Sequence, residues 1–173
     1  MASPWYQAPT LELSQGDFFD SFPSMYLGAP VSLARPVTVA GKRHLEEVQL
    51  EEKLALGEKD RFLGNGQLGR AVLLTHSCEI DKDERYRVVA LVRDMSALAD
   101  NQVAEIREGG RRRFFPLPGE PEFDFQESYI DFRRLTTVRG ALLRKRKPFM
   151  TMTDALRASM AEAYIEYITR AEL

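Results

Sequence analysis

Two short apolar runs dominate the middle of the chain. Arg70-Ala71-Val72-Leu73-Leu74-Thr75 is apolar throughout its interior and follows the turn signal Gly64-Asn65-Gly66, the pattern of a central strand buried on both faces. Tyr86 to Val92 (YRVVALV) is a second such run beyond a charged turn at residues 82–84, so the two are expected to pair as a hairpin. Further extended pieces are expected after the Gln15-Gly16-Asp17 turn, where Phe18-Phe19 starts a strand, at Val37 to Ala40, and at Ser128 to Val138. Arg111 to Leu117 reads as an edge strand ended by Pro116 and Pro118, and Val103 to Arg107 as a short strand or the end of a helix. Pro23, Gly28, Pro30 and Pro36 predict loop with short extended pieces, and residues 1–10 predict an irregular arm. Residues 44–58 leave two readings open: their alternation suits a strand pair, and their Glu and Lys content suits a helix. Leu156, Met160, Ala163, Tyr164 and Tyr167 recur at helical spacing after the N-cap signal Thr153-Asp154, predicting an amphipathic helix over 153–169 whose apolar stripe faces the core.

At 173 residues the chain is long enough for one domain with a real core and short for two, so a single mainly β domain with some α structure over residues 1–173 is expected. No apolar run approaches the length of a membrane span, and the N-terminus lacks the basic-then-apolar order of a secretory signal. Cys78 is the only cysteine, which excludes an intramolecular disulfide and a multi-cysteine zinc site and suits a reducing, cytoplasmic location. The net charge of −2 gives no global attraction to nucleic acid. The charge is unevenly spread, however. Seven basic residues and no acid fall between Arg133 and Lys147, and six acids against two lysines fall between His44 and Asp60. The basic stretch has the composition of a local phosphate-binding face, and equally that of a solvated surface.

Three segments carry candidate chemistry. The first is Thr75-His76-Ser77-Cys78-Glu79-Ile80-Asp81, just past a buried strand, where functional groups commonly sit. On a continuing strand His76 and Cys78 share a face, and a histidine beside a thiol can make it a thiolate nucleophile. The same side chains with Asp81 have metal-ligating chemistry, and a cysteine after an apolar strand is also an ordinary core residue. The second segment holds Asp131, Arg133 and Arg134. Asp131 and Arg133, two apart on a strand, project from one face and can pair with each other or with His76. The third is Arg111-Arg112-Arg113-Phe114-Phe115, which combines guanidinium groups with rings as phosphate-gripping, base-stacking surfaces do, and as charged edge strands do. The chain has no Gly-rich phosphate loop, no GxSxG and no HExxH, which argues against an NTPase, a typical serine hydrolase and a zincin.

The order of these elements resembles the MazF/PemK-like toxins, which are small SH3-like barrels. Gln15-Gly16-Asp17-Phe18-Phe19 is similar to that group's Gly-Asp first-strand start, and Gly69-Arg70-Ala71-Val72-Leu73-Leu74-Thr75 to its Arg-Pro-x-Val-Leu-Ser strand. Val88 to Ser96 falls where the family's next strand carries a hydroxyl, and Ser128 to Thr137 and the closing helix follow in the same order. The resemblance spans about two-thirds of the chain. It implies an SH3-like barrel elaborated by an insertion at residues 40–65. It also implies a metal-independent endoribonuclease in which Arg70 stabilises the phosphate and Ser96 assists the attack; in that reading His76 joins Arg70 as a catalytic residue of the phosphoryl transfer. The chain departs from the pattern at Ala71, where the family has proline, and in lacking the expected threonine, with Asp94 and Ser96 in that region.

Three functions follow as expectations. The first is a non-catalytic protein-interaction module in a toxin–antitoxin or phage-defence-type system, binding a protein partner through a groove or sheet edge, with no cofactor and no metal. The second is the endoribonuclease, with RNA as substrate. The third is a cysteine-dependent enzyme built on Cys78. The residues expected to bind are Cys78, Glu79, Asp81, Arg111, Arg112, Arg113, Asp131, Arg133 and Arg134. The resemblance leaves a homodimer open.

Overall fold

A computed structural model describes residues 3–26, 32–49, 61–63, 65–76 and 86–170. The chain is mainly β with a few helices and divides into two compact units, residues 1–22 with 69–173, and residues 23–68. In chain order the strands are β1 (Tyr6–Gln7), β2 (Asp17–Tyr26), β3 (Ser32–Val39), β4 (Lys42–Gln49), β5 (Arg61–Leu63), β6 (Asn65–Leu73), β7 (Tyr86–Asp94), β8 (Phe114–Leu117), β9 (Ser128–Arg139) and β10 (Met150–Met152). The α-helices are α1 (Asp100–Arg107), α2 (Gly140–Arg144) and α3 (Asp154–Arg170).

The seven-stranded sheet runs in the order β1-β10-β2-β6-β7-β9-β8 and curls as a half-barrel. The expected hairpin is present: β6 and β7 pair antiparallel, with Arg70 opposite Val92 and Leu73 opposite Val89. The pairings β1–β10, β10–β2, β7–β9 and β8–β9 are also antiparallel. β8 is an edge strand, as its prolines suggested. Strand alternation gives each strand two faces, and each has its own core. On one face Phe18, Val72, Ala90, Phe115, Leu117, Ile130 and Phe132 pack with Leu156 and Met160 of α3. On the other, Phe19, Ala71, Leu73 and Val89 pack with Leu143 of α2, and Tyr129 packs with Met95 and Ile106 of α1. The helical stripe of α3 is core, with Tyr164 and Tyr167 against Phe132 at 5.2 and 5.8 Å between ring centres.

Several elements differ from the sequence expectation. Tyr6 and Gln7, inside the stretch read as an arm, form β1, because the Tyr6 ring is buried among Phe18 and Phe125 and its hydroxyl donates to the Pro118 carbonyl at 2.9 Å. β2 runs on through Pro23, and β3 contains Pro36. Val103 to Arg107 belongs to α1, an eight-residue helix with Ile106 as its buried residue. The Thr153 hydroxyl donates to the Pro4 carbonyl at 3.1 Å and so ties down the N-terminal segment, while the Thr153 carbonyl accepts the Arg157 N–H of the first turn of α3.

In the second unit β3 is central in a three-stranded sheet, between β4 and β5. Ala40 and Gly41, with φ of 49° and 79°, form the two-residue turn joining β3 to β4. Positive φ at both turn residues is the geometry that matches the twist of a hairpin. Residues 42–49 are therefore strand, and the rest of the ambiguous 44–58 segment lies outside the described residues.

The Gln-Gly-Asp turn before β2 is fastened by Asp17. Its carboxylate accepts the Ser14 N–H at 2.7 Å and the Ser14 hydroxyl at 3.3 Å. Burial raises its pKa above the usual aspartate range, and the Ser14 bonds, the Thr151 hydroxyl and the Arg157 guanidinium pull it back only in part. Between the unfolded and folded pKa values the folded chain therefore holds more of this proton than the unfolded chain does. Its contribution to stability then falls as pH rises through that window. Asp17→Asn keeps an acceptor for the Ser14 N–H and removes the titration. Urea midpoints measured from acidic to neutral pH are expected to fall less for Asp17→Asn than for the parent chain. Parallel pH profiles would contradict this.

Candidate functional site

Two sets of candidate residues lie on opposite faces of the sheet. Arg70, Val92 and Ile130 are successive cross-strand partners and share one face. Tyr129 and Asp131, their neighbours on β9, point to the other, together with Arg93 opposite Tyr129 and Phe114 opposite Asp131. Arg70 and Asp131 consequently open into different clefts, and His76, exposed just past β6, lines neither. Cys78, Glu79 and Asp81 lie outside the described residues.

Arg70 is held from three sides. Its Nε donates to Asp20 at 2.9 Å, its Nη2 donates to the Asp124 carbonyl at 3.1 Å, and its guanidinium lies 5.5 and 5.6 Å from the ring centres of Phe125 and Phe149. The open cleft beside it, about 400 Å³, is also lined by Asp94, Asp124, Gln126 and Ser128. Ser96 lines the neighbouring cleft, which shares Asp94 and Gln126 with the first. Its backbone N–H donates to Asp94 at 2.8 Å, which caps the single 3-10 turn following β7. Arg70 thus meets acidic neighbours, Asp20 by direct pairing and Asp94 and Asp124 in the cleft wall, which oppose the approach of a phosphate. Arg107 of α1 and Glu127 form a bidentate pair at the rim of the Ser96 cleft, with Arg107 Nε 2.6 Å from Glu127. That pairing holds the Glu127 carboxyl below its usual pKa, so it is charged and not a proton donor at neutral pH.

On the opposite face Arg93, Arg111, Arg113, Arg133 and Arg134 surround a cleft of about 160 Å³. Asp131, buried to 4% exposure, stands among them with Arg133 at 3.4 Å and Arg134 at 3.8 Å. Arg111 pairs with Glu105 of α1 at 2.7 Å, and Arg113 lies 4.3 Å over the Phe114 ring. Arg112 leaves this group and approaches Glu166 of α3 at 3.6 Å. Sequence reasoning had the Arg111 to Arg113 and Asp131 to Arg134 segments separately and missed Arg93. The available signal was its alternation with Leu91 and Val89, which puts it on the Tyr129 face once β7 is read as a strand.

A fourth and wider groove, about 1060 Å³, runs between residues 9–14 and the basic segment Arg144, Arg146, Lys147 and Pro148. Leu11 is fully exposed on one wall. Arg146 fixes the other wall by donating to the Ser21 carbonyl at 2.8 Å.

Among the described residues no group of three or more His, Cys, Asp or Glu side chains is arranged to hold a metal ion. No described helix is long and apolar enough to cross a membrane. Comparison of the chain with protein families, with curated proteins and with solved structures yields no match.

Proposed function

We propose that the chain is a MazF/PemK-like, SH3-like domain that works by binding a protein partner and not by cleaving RNA. The observation that carries this reading is the state of Arg70. A guanidinium that must stabilise a phosphate in a transition state should face it with free donors in a positive surround. Here Arg70 directs its Nε to Asp20 and its Nη2 to the Asp124 carbonyl and lies against the Phe125 and Phe149 rings, in a cleft with acidic walls. It acts as a clamp between β2, β6 and the segment before β9. The curled sheet, the Gly16-Asp17 start of β2 and the closing helix α3 support the barrel-like reading of the fold.

The partner is an extended, acidic segment of another protein, seated in the groove between residues 9–14 and the Arg144 to Pro148 wall. Exposed Leu11 and the rim residues Arg144 and Lys147 give that groove both apolar and cationic contacts. Expressed alone, the chain is expected to leave RNA intact in EDTA and to leave growth unchanged. An acidic peptide is expected to bind, and to be lost on the charge reversals Arg144→Glu and Lys147→Glu. Cleavage of RNA in EDTA that disappears in Arg70→Ala would replace this reading with the endoribonuclease. Loss of an enzymatic activity on alkylation of Cys78 would replace it with the cysteine enzyme.

A further inference from the structure

The arginine cleft on the Tyr129 face is unused by that reading and is built differently from the other three clefts. Five guanidinium groups meet two carboxylates, Asp131 within the cleft and Glu105 at its edge. Three positive charges are therefore uncompensated in a space of about 160 Å³. Like charges repel, so a fold gathers them this closely at a cost that a bound anion offsets. The five groups come from two strands, β7 and β9, and the loop before β8, so the register of the sheet brings them together. Arg93 is set opposite Tyr129 on β9, Arg133 lies four residues further along β9 and lines the same cleft, and Arg113 adjoins Phe114, which faces Asp131.

Asp131 arranges its neighbours. It takes the Arg133 backbone N–H at 3.1 Å, accepts the Arg133 Nε and Nη2 donors at 3.4 Å each, and lies 3.8 Å from Arg134, while both arginine side chains stay about half exposed. Two arginines have no carboxylate of their own among the described residues, Arg93 and Arg113. The Nε of Arg113 is buried without a hydrogen-bond acceptor, whereas buried polar atoms are as a rule satisfied. It lies in a cleft whose remaining wall is Leu98, Ile106, Phe114 and Tyr129, with the Gln102 amide beside them. The arrangement therefore offers forked donors for a tetrahedral oxyanion on one side and an apolar wall for a short organic stem on the other. The volume is well below the 300 Å³ or so at which drug-sized ligand sites begin, which calls for a small ligand.

We propose that this cleft is a phosphate-recognition site that takes the phosphoryl group of a small phosphomonoester, with Arg93, Arg113 and Arg133 as the binding residues and Asp131 as the positioning residue. The site stands apart from the protein-partner groove and does not depend on it.

The test is titration of the whole chain with inorganic phosphate and with ribose 5-phosphate, followed by calorimetry and by amide shifts in NMR spectra. Both ligands are expected to saturate, with shifts concentrated at Phe114, Tyr129 and α1, and to weaken as sodium chloride is raised. Arg93→Gln, an exposed position that leaves the core untouched, is expected to weaken both ligands by about tenfold or more, and Arg113→Gln likewise. Arg113→Lys, which keeps the charge and loses the fork, should recover only part of the loss. Arg144→Gln, in the other groove, should bind as the parent does. Failure of both ligands to saturate would overturn the proposal. So would equal weakening by Arg144→Gln, or binding confined to oligonucleotides or phosphopeptides with no competition from ribose 5-phosphate. None of these outcomes bears on the acidic-peptide experiment, so the two readings fail separately.

Discussion

Phe18→Ala is expected to lower the unfolding free energy by about 3–5 kcal/mol, measured as the loss of urea midpoint at unchanged slope. Phe18 is fully buried and meets Tyr6, Phe125 and Phe149 edge to face, with ring centres 5.4 to 6.2 Å apart. Each such pair adds about 0.5–1.5 kcal/mol beyond the buried area, which puts the change at the upper end of the range. Domains of ordinary stability have about 5–15 kcal/mol in total, so this one truncation removes a large share of it. The consequence reaches the candidate site. Phe125 and Phe149 are also the rings against which Arg70 lies, and the Phe149 N–H donates to the Phe18 carbonyl. Truncation at Phe18 should therefore loosen Arg70 as well as the core. Leu11→Ala, at a fully exposed position, is the control and should stay within about 0.5 kcal/mol of the parent. A loss below about 2 kcal/mol at Phe18 would mean that the rings repack and that the aromatic cluster is not the keystone of this face.

The parts of the fold that were legible in the sequence are those whose pattern is local. Val72, Leu73, Val89 and Ala90 are apolar without interruption because both faces of β6 and β7 are covered, and no alternative element accommodates such short runs. Leu156 and Met160 declare α3 by spacing alone. α1 was harder because it buries one residue, Ile106, and so carries almost no periodic signal. β2 was hidden by Pro23, since proline usually marks the end of a strand.

The candidate site was legible residue by residue but not as a constellation. That Asp131 and Arg133 share a face follows from alternation, and they do pair. That Arg70 and Asp131 face opposite ways depends on which residues of β7 stand between them. The register of β7 on β9 shifts by three residues between Ala90, opposite Leu135, and Val92, opposite Ile130, and a shift by an odd number reverses the face of everything beyond it. The sequence carries no local mark of that irregularity. The union of Arg93, Arg113 and Arg133 likewise requires the β7–β9 and β8–β9 registers together.

Gly16→Ala, at the turn into β2, is expected to cost about 2–4 kcal/mol. Gly16 has φ of +90°, which side chains rarely adopt and which costs about 1–2 kcal/mol for a residue with a Cβ. An added Cβ would also lie 3.0 Å from Met152 Cβ and 3.2 Å from Met152 Cγ. Relief by moving the backbone is blocked. The Gly16 N–H donates to the Leu73 carbonyl at 2.8 Å, and its carbonyl accepts the Met152 N–H at 3.1 Å. The residue is thus stitched to the end of β6 on one side and to β10 on the other. Overpacking at such a point costs about 1–3 kcal/mol more. The Gly-Asp pair that prompted a family resemblance consequently has a physical reason to be glycine followed by aspartate. Gly16 lets two strands close against one residue, and the buried Asp17 carboxylate ties the turn to Ser14. Urea unfolding of Gly16→Ala measures the effect. A loss under about 1 kcal/mol would show that Met152 yields and that the turn tolerates a side chain. In that case the glycine would answer to something other than the closure of the sheet.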